Sequence, residues 1–383
     1  MEIKETIRVE EALKIIFDKL KPSVRRVPVE EALGCTLAEE IISPIDYPPF
    51  DRAAMDGFAV RARDTYGASQ SSPVIMEISD RAGEMKAIPV NTGERLPEGT
   101  DAVIMIEDTV QSGNLIEIFS EVHPAKNVAR KGEDVEKEEI IFERSHILRC
   151  ADIALLKALG VDEVKVFSRP KVAVIPTGNE FLENSGIKET NSLMVSLLLK
   201  KWGAMPEIKG VVRDDKAELR RAIESTLSSD VIAIIGGTSA GRRDLLWDVL
   251  NDIGEPVFRG VAMSPGRPTL FGVVEERPLL GLPGYPVACL MSALTFLREI
   301  VGKLMNRRIE ERILKARLAA PVTSKAGYRT FTRVKLRHGM AVPLMTHGSG
   351  ILSSVTRSDG YIVIPEEIEG FEADEIVEVR LFE

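Results

Sequence analysis

From Lys171 onward, short apolar runs alternate with helical patterns, and this alternation restricts the possible fold more than any other feature of the sequence. Strand-like runs such as KVAVIP and VIAII are followed by a loop and then by a helical stretch such as NSLMVSLLLKKW or LLWDVLNDI. Units of this kind pack side by side in a mostly parallel sheet with helices on both faces. We therefore predict a doubly wound α/β domain over residues 171–310, with its ligand site at the carboxyl ends of the strands.

A glycine-rich loop follows the strand-like run VIAII. It contains Gly236, Gly237, Ser239, Gly241 and Asp244, and a helical pattern comes directly after it. Glycine lets backbone amides approach a ligand closely, and a helix N-terminus carries partial positive charge. A strand, such a loop and a helix form the arrangement in which α/β proteins hold phosphate groups. The Asp either caps the helix or ligates a metal ion bound to that phosphate.

Two further loops follow predicted strands, so both could open onto the same edge of the sheet. The first contains Thr177, Gly178 and Glu180, which suit a ligand that needs a tight turn and a carboxylate; it could equally be an ordinary turn with a solvated Glu. The second contains Pro283 and Gly284 and runs into a long helix. Its prolines indicate a rigid entry, which either presents backbone groups to a ligand or merely connects strand and helix.

The remaining candidate loops carry charge or hydroxyl groups. Pro265, Gly266 and Arg267 precede the strand TLFGVV, and the Arg is either a fork donor for an oxyanion or an exposed turn residue. Asp214 lies in an acidic pair that could instead cap the following helix. Asp56 in MDGFA and Thr92 in NTGERLP lie in irregular loops nearer the N-terminus. Acidic loops beside phosphate loops favour magnesium-assisted chemistry on a phosphorylated ligand.

Composition excludes several classes of function. The net charge is −9, and no run rich in Lys and Arg stands out, which argues against a nucleic-acid partner. The three cysteines form no CxxC pair, which fits a reducing cytoplasm, and the four histidines have no metal-ligand spacing. No stretch approaches the roughly 20 apolar residues of a membrane span, and the N-terminus lacks the apolar core of a signal peptide.

The flanking regions differ from the α/β part. Residues 1–45 and 146–170 carry helical patterns and are predicted to form a frame, into which a small β domain of residues 46–145 is inserted. Residues 311–383 are again rich in strand-like runs punctuated by Gly and Pro, and they predict a β-barrel-like domain.

Taken in order, MDGFA, NTGERLP with DAVIMIED, PTGNE, GGTSAGRRD, SPGRPTLFG and GLPGYPV resemble the molybdopterin molybdenumtransferases, the MoeA and gephyrin E-domain family. The resemblance covers essentially the whole chain. It implies an elongated homodimer that takes adenylylated molybdopterin, hydrolyses its pyrophosphate bond with Mg²⁺, inserts molybdate at the dithiolene and releases AMP. The resemblance also implies a molybdopterin adenylyltransferase as a candidate partner.

The same resemblance assigns roles to residues. It places Asp56, Thr92, Glu180, Asp214 and Asp244 at catalytic positions, with Asp56 and Thr92 acting from the partner subunit and with Glu180 and Asp244 as metal ligands. In the C-terminal part, Arg333 and Ser349 fall near further positions of functional importance.

The sequence departs from this family at several positions. Many members have Lys where this chain has Ser264, and another Lys near Gly260, so Arg267 or Arg259 must supply that charge. Tyr285 stands where Asn is common, and Ala288 where Ser is common. Because molybdate and tungstate are nearly isosteric, a tungstate-inserting relative remains an alternative, as does a non-catalytic scaffold. An adenylyltransferase would need only the central domain, so the flanking domains argue against it.

Overall fold

The computed structural model describes residues 6–183, 186–237, 245–344 and 350–382. The chain divides into two compact units, one formed by Arg26–Val166 and the other by the flanking segments Met1–Arg25 and Phe167–Glu383. No helix within the described ranges has the length and apolar character needed to cross a bilayer.

The first part of the chain contains one long helix followed by many short strands. Short 3-10 helices occur at Val29–Glu31, Ala62–Thr65 and Ile106–Asp108. The longer elements, numbered along the chain, are α1 (Val9–Lys19), β1 (Val24–Pro28), β2 (Ile41–Ile42), β3 (Arg52–Ala53), β4 (Gly57–Val60), β5 (Val74–Ile78), β6 (Lys86–Val90), β7 (Ala102–Met105), β8 (Thr109–Ser112), β9 (Leu115–Ile118), β10 (Val128–Ala129), β11 (Ile140–Phe142), α2 (Cys150–Ala158) and β12 (Glu163–Phe167).

The unit Arg26–Val166 is built around a six-stranded sheet with the order β7-β4-β6-β5-β9-β8. Alternate residues of these strands are apolar and pack into a core that includes Phe58, Met76, Ile104, Ile116 and Ile118. The predicted inserted β domain is therefore confirmed as a fold. Helix α1 was predicted to belong to a frame with residues 146–170, but its buried face packs elsewhere, because Val9, Ala12 and Ile16 join the core of the α/β domain.

Helix α2 begins at a cluster of polar groups around a buried carboxylate. The carboxylate of Asp152 accepts hydrogen bonds from the backbone amide of Arg149 at 2.8 Å and from the guanidinium Nη2 at 3.0 Å. The Nε2 atom of His146 lies 2.7 Å from the same carboxylate. The Arg149 side chain, followed by the other donors, holds the pKa of the Asp152 carboxyl well below its usual range.

The α/β domain follows from Lys171. Its elements are β13 (Lys171–Pro176), a 3-10 turn (Asn179–Phe181), α3 (Asn191–Trp202), β14 (Met205–Ile208), α4 (Lys216–Glu224), β15 (Val231–Ile235), α5 (Leu245–Ile253), β16 (Glu255–Arg259), β17 (Met263–Ser264), β18 (Leu270–Val274), β19 (Arg277–Leu282), α6 (Pro286–Ser292), a π-helical turn (Ala293–Leu297) and α7 (Arg298–Leu304).

The central sheet has the order β14-β13-β15-β19-β18-β16. Strands β14, β13, β15 and β19 are parallel, whereas β18 runs antiparallel to both of its neighbours. Every residue of β15 is buried, and alternate side chains enter two separate cores. One core is closed by α1, α3, α6 and α7 and the other by α4 and α5, so helices cover both faces as predicted.

The C-terminal region forms a closed β-barrel. Its elements are β20 (Ile313–Leu318), β21 (Val322–Thr323), β22 (Arg329–Arg337), β23 (Met340–Pro343), α8 (Ser353–Thr356), β24 (Gly360–Ile364), β25 (Gly370–Phe371) and β26 (Ile376–Leu381). The sheet runs β22-β23-β20-β26-β24, and β24 pairs again with β22 to close the ring.

A polar network fastens the barrel to the α/β domain. The carboxylate of Glu311 accepts hydrogen bonds from Arg298 of α7, from the Tyr361 hydroxyl at 3.0 Å and from Arg380 Nη1 at 2.8 Å. Strand β17 also pairs in parallel with β22, so the loop after β17 is attached to the barrel. These contacts hold the barrel beside the carboxyl edge of the sheet.

The substitution Asp152→Asn is expected to lower the free energy of unfolding by about 1–2 kcal/mol at pH 7, because the start of α2 loses its charged acceptor. A carboxyl with a lowered pKa in the folded state stabilises the fold above its unfolded pKa of about 3.9, and this contribution disappears as the pH falls through the folded value. Urea unfolding at pH 7 and pH 3 should therefore give a smaller difference between variant and wild type at the lower pH.

Asp162→Asn is the matched control. The Asp162 carboxylate pairs with Lys157 on the surface, so its loss should matter little. An Asp152 variant whose loss of stability is the same at both pH values would contradict this account.

Candidate functional site

Three loops meet where the parallel strands β13, β15 and β19 end. Pro176 is in register with Ile235, and Ile235 with Leu282, so the residue that follows each strand lies beside the next. The amide of Thr177 donates to the carbonyl of Ile235 at 2.8 Å, and the amide of Gly236 to that of Leu282 at 2.9 Å. The structure therefore brings Thr177, Gly178, Gly236, Gly237, Pro283 and Gly284 together at one edge, as the sequence predicted.

Glycine is required at the centre of this edge. A Cβ atom on Gly236 would lie 2.7 Å from Thr177 Oγ1 and 2.9 Å from the Thr177 carbonyl oxygen, and its φ is +94°. A Cβ atom on Gly178 would lie 2.8 Å from the Glu180 carboxylate, again at a positive φ of +146°. Both positions therefore need a residue without a side chain.

Neighbouring side chains fix these loops from behind. Asn191, which is buried at the start of α3, donates from Nδ2 to the carbonyl of Gly284 at 2.7 Å. The side-chain oxygen of Asn179 accepts from the amide of Asp214 at 3.2 Å. The helix cap is Asp215, whose carboxylate accepts from the amides of Ala217 and Glu218. The sequence left open whether this acidic pair caps the helix or faces a site. Asp215 forms the cap, and Asp214 lies in the wall of the cavity at this edge.

The first cavity, which we call the strand-end cavity, has a volume of about 580 Å³. It contains the carboxylates of Glu180, Glu189 and Asp214, and Lys188 is the one cation among the described residues of its wall. The part of this wall that the structure describes is rich in oxygen and has no His or Cys, which suits a hard divalent cation such as Mg²⁺ that is shared with phosphate oxygens. Within the described ranges no three acidic, His or Cys side chains form a cluster that could hold a metal ion alone.

A second cavity, the barrel cavity, has a volume of about 590 Å³ and lies between the loop after β17 and the barrel. Pro265, Gly266 and Arg267 line it from one side and Arg333 of β22 from the other. Burial lowers the pKa of the Arg333 guanidinium, which nevertheless remains a cation at neutral pH. These arginines are the only charged residues in the described wall, so the cavity favours an anion.

The two cavities adjoin each other. Pro268, Pro283 and Tyr285 belong to the walls of both. Ser264 also lines the barrel cavity, whereas Arg259 is absent from its described wall. Of Arg267 and Arg259, only Arg267 is therefore part of that described wall.

Asp56 and Thr92 meet in the other unit. One carboxylate oxygen of Asp56 accepts from the Thr92 hydroxyl at 2.7 Å and from the Thr92 amide at 2.6 Å. These two bonds hold the pKa of the exposed Asp56 carboxyl below its ordinary value, so it is ionised at neutral pH.

Four predicted site residues, Ser239, Gly241, Asp244 and Ser349, lie outside the described residues. Sequence reasoning also missed several residues of the strand-end cavity, among them Lys188, Glu189 and Asn191. The only local signal was that Asn191 lies at a predicted helix start. That position predicts a helix cap and not a hydrogen bond to a loop distant in sequence.

Family models match the chain along most of its length. "MoeA N-terminal region (domain I and II)" matches residues 7–160, "Probable molybdopterin binding domain" residues 173–303, and "MoeA C-terminal region (domain IV)" residues 315–382. The chain belongs to the MoeA family. It is therefore an enzyme of molybdenum cofactor biosynthesis, of the transferase class predicted from its motifs.

Individual relatives agree with the MoeA assignment. A molybdopterin molybdenumtransferase of Haemophilus influenzae is 32% identical over 92% of this chain and 93% of its own length. One from Staphylococcus epidermidis is 30% identical over 100% of this chain and 97% of its own. The crystal structure of a molybdopterin biosynthesis MoeA protein from Pyrococcus horikoshii is 37% identical and superposes with a TM-score of 0.84, covering 99% of this chain and 100% of that one.

The substitution Gly236→Ala is expected to lower the free energy of unfolding by about 1–3 kcal/mol, because the new methyl group meets Thr177 and the backbone is in the left-handed region. It should also displace the loop that follows β15. Urea unfolding measures the first effect, and the affinity for a pterin nucleotide measures the second. Gly210→Ala is the control, since a Cβ there meets nothing within 4 Å. Equal effects at the two glycines would contradict this role of Gly236.

Proposed function

We propose that this enzyme inserts molybdate into adenylylated molybdopterin, with magnesium-dependent hydrolysis of the pyrophosphate bond and release of AMP. The observation that carries the proposal is a pair of adjoining cavities with opposite character. The strand-end cavity is bordered by glycine loops and carboxylates, and the barrel cavity is bordered by two arginines and no acid among its described residues.

The two cavities suit the two groups that such a reaction must bind, the phosphates and the oxyanion. Backbone groups around Gly178 and Gly236 can approach phosphate oxygens closely, since neither glycine has a side chain of its own. Arg267 and Arg333 offer fork-shaped donors for the oxygens of a tetrahedral oxyanion. A ligand that spans the shared wall would bring its dithiolene, the acceptor of the metal, next to the oxyanion.

Magnesium fits the strand-end cavity as a shared ion. Glu180, with Asp244 from outside the described residues, would hold it together with the phosphate oxygens, as Mg²⁺ sites with few protein ligands usually do. When bound, it would neutralise charge that develops on the phosphates during cleavage. Asp214 stands in the same wall and supplies a further acceptor for the hydration shell of such an ion.

A homodimer forms part of the proposal. The pairing of Asp56 with Thr92 gives an ionised, oriented carboxylate on the unit Arg26–Val166. By family resemblance this carboxylate acts from the partner subunit on the site formed by the α/β domain. The cytoplasm, where the pterin nucleotide and free thiols persist, is the compartment proposed for the reaction.

Two alternatives are weaker. A scaffold would have no need for Glu180, Asp214, Asp56 and the glycine loop together. An adenylyltransferase leaves the barrel cavity unexplained, since its arginines come partly from the C-terminal domain. Tungstate remains a possible substrate because two arginines would bind either oxyanion alike.

The first experiment is to measure AMP release from adenylylated molybdopterin with Mg²⁺ and with no oxyanion, molybdate or tungstate. We expect release that depends on an oxyanion, and the better oxyanion identifies the metal. Chelation of Mg²⁺ with EDTA should stop the release. Intact pterin nucleotide under all conditions, although bound to the protein, would instead favour a scaffold.

The oxyanion site can be located in the same assay. Arg333→Gln should raise the oxyanion concentration at half-maximal rate by about 10- to 100-fold, the loss expected for a charge-assisted hydrogen bond. Arg337→Gln, an exposed position of the same strand, is the control and should leave it unchanged. An unchanged value for Arg333→Gln would move the oxyanion out of the barrel cavity.

Subunit mixing tests the shared site. Asp56→Asn and Glu180→Gln should each abolish AMP release when present in both subunits. If the two residues serve one site from different subunits, a heterodimer of the two variants contains one intact site and regains activity. Glu183→Gln, an exposed acid after the same 3-10 turn that is absent from the cavity wall, should stay active. Purified heterodimers that remain inactive would contradict the shared site.

A further inference from the structure

Tyr285 occupies the wall between the two cavities. It lines both the strand-end cavity and the barrel cavity, and 66% of its surface is exposed. A large aromatic ring is thus accessible where the described walls of the two cavities meet. An exposed aromatic face at this junction offers a large, flat contact area to a ligand.

The ring is carried on a rigid support. Pro286 follows Tyr285 and restricts its backbone, and the carbonyl of Tyr285 accepts from the amide of Cys289 at 2.8 Å in the first turn of α6. On the other side, the carbonyl of Gly284 is held by Asn191 at 2.7 Å. The ring also lies against Gly350, where an added Cβ would be 3.4 Å from Tyr285 Cδ1. A side chain held in this way loses little entropy when a ligand binds.

The surroundings specify the chemistry of the ligand. Cationic side chains for an anion lie on the barrel side of Tyr285, and the glycine loops for phosphate lie on the other. Between two anionic groups, a tyrosine face is suited to a flat heterocycle, which stacks on it without any need for hydrogen bonds.

We propose that Tyr285 is a stacking platform for a planar nitrogen heterocycle of the substrate, and that it is a specificity-determining residue of this chain. The inference rests on the function proposed above. The substrate contains two such rings, the pterin and the adenine, and they form separate arms of the test. A ring held against Tyr285 would set the distance between the phosphates in one cavity and the reacting group at the other.

The test compares Tyr285→Phe, Tyr285→Ala and Tyr285→Asn with the wild type. Binding of AMP, and separately of a phosphorylated pterin, is measured by calorimetry, and pterin fluorescence reports contact with the ring. We expect Phe to retain affinity within about twofold, and Ala and Asn to lose about 5- to 100-fold for the ring that stacks. Tyr66→Ala removes an exposed tyrosine that lines neither cavity and is the control.

The outcomes separate this inference from the proposed function. A loss for AMP or for the pterin supports stacking and identifies the ring. Unchanged binding of both probes to Tyr285→Ala overturns the role of Tyr285, and so does a Phe variant as weak as the Ala variant. A wild-type protein that binds neither probe and releases no AMP overturns the proposed function as well. Urea unfolding of each variant verifies that its fold is retained.

Discussion

The parallel pairing of β13, β15 and β19 is the interaction on which the rest of the site depends. Hydrogen bonds continue one residue past the strands, from Thr177 to Ile235 and from Gly236 to Leu282. Loops from distant parts of the sequence are thereby held at spacings set by the ladder rather than by their own preferences. The strands themselves are held by two cores of buried aliphatic side chains, one on each face. Binding groups on the loops are therefore positioned by a rigid scaffold.

The carboxylates and the arginines lie in two different, adjoining cavities because they come from different parts of the fold. The carboxylates belong to loops that leave the α/β sheet, whereas Arg333 comes from the barrel that is fastened beside it. Separation keeps the acids from neutralising the arginines, so each cavity retains an electrostatic preference of its own. The Glu311 network and the pairing of β17 with β22 matter for the same reason, because they fix the distance between the two groups.

Much of this was predictable from local pattern. The alternation of strand-like and helical runs predicts the doubly wound domain, and the rule that ligands bind at the carboxyl ends of strands predicts that the TGNE, GGTSAGRRD and GLPGYP loops converge. The inserted β domain and the C-terminal barrel follow from short alternating runs. The resemblance to a family pointed to Asp56, Thr92 and Arg333, which no spacing argument could have joined.

Other features needed the folded chain. Asn191 braces Gly284 across 93 positions of sequence, and Asp215, not Asp214, caps α4. Arg267 lines the barrel cavity and Arg259 does not, which the sequence left open. Helix α1 packs on the α/β domain, although the chain continues from Arg26 into the other unit.

The sequence by itself determined the class of fold, the glycine positions and the kinds of chemical group in each loop, because these depend on periodicity and on short-range backbone geometry. Only the tertiary structure decided which of those groups share a cavity, which carboxylate caps a helix and which lines a cavity, and where Tyr285 stands. Those outcomes depend on contacts between residues far apart in the chain, and such contacts arise only when the sheet, its helices and the barrel pack together.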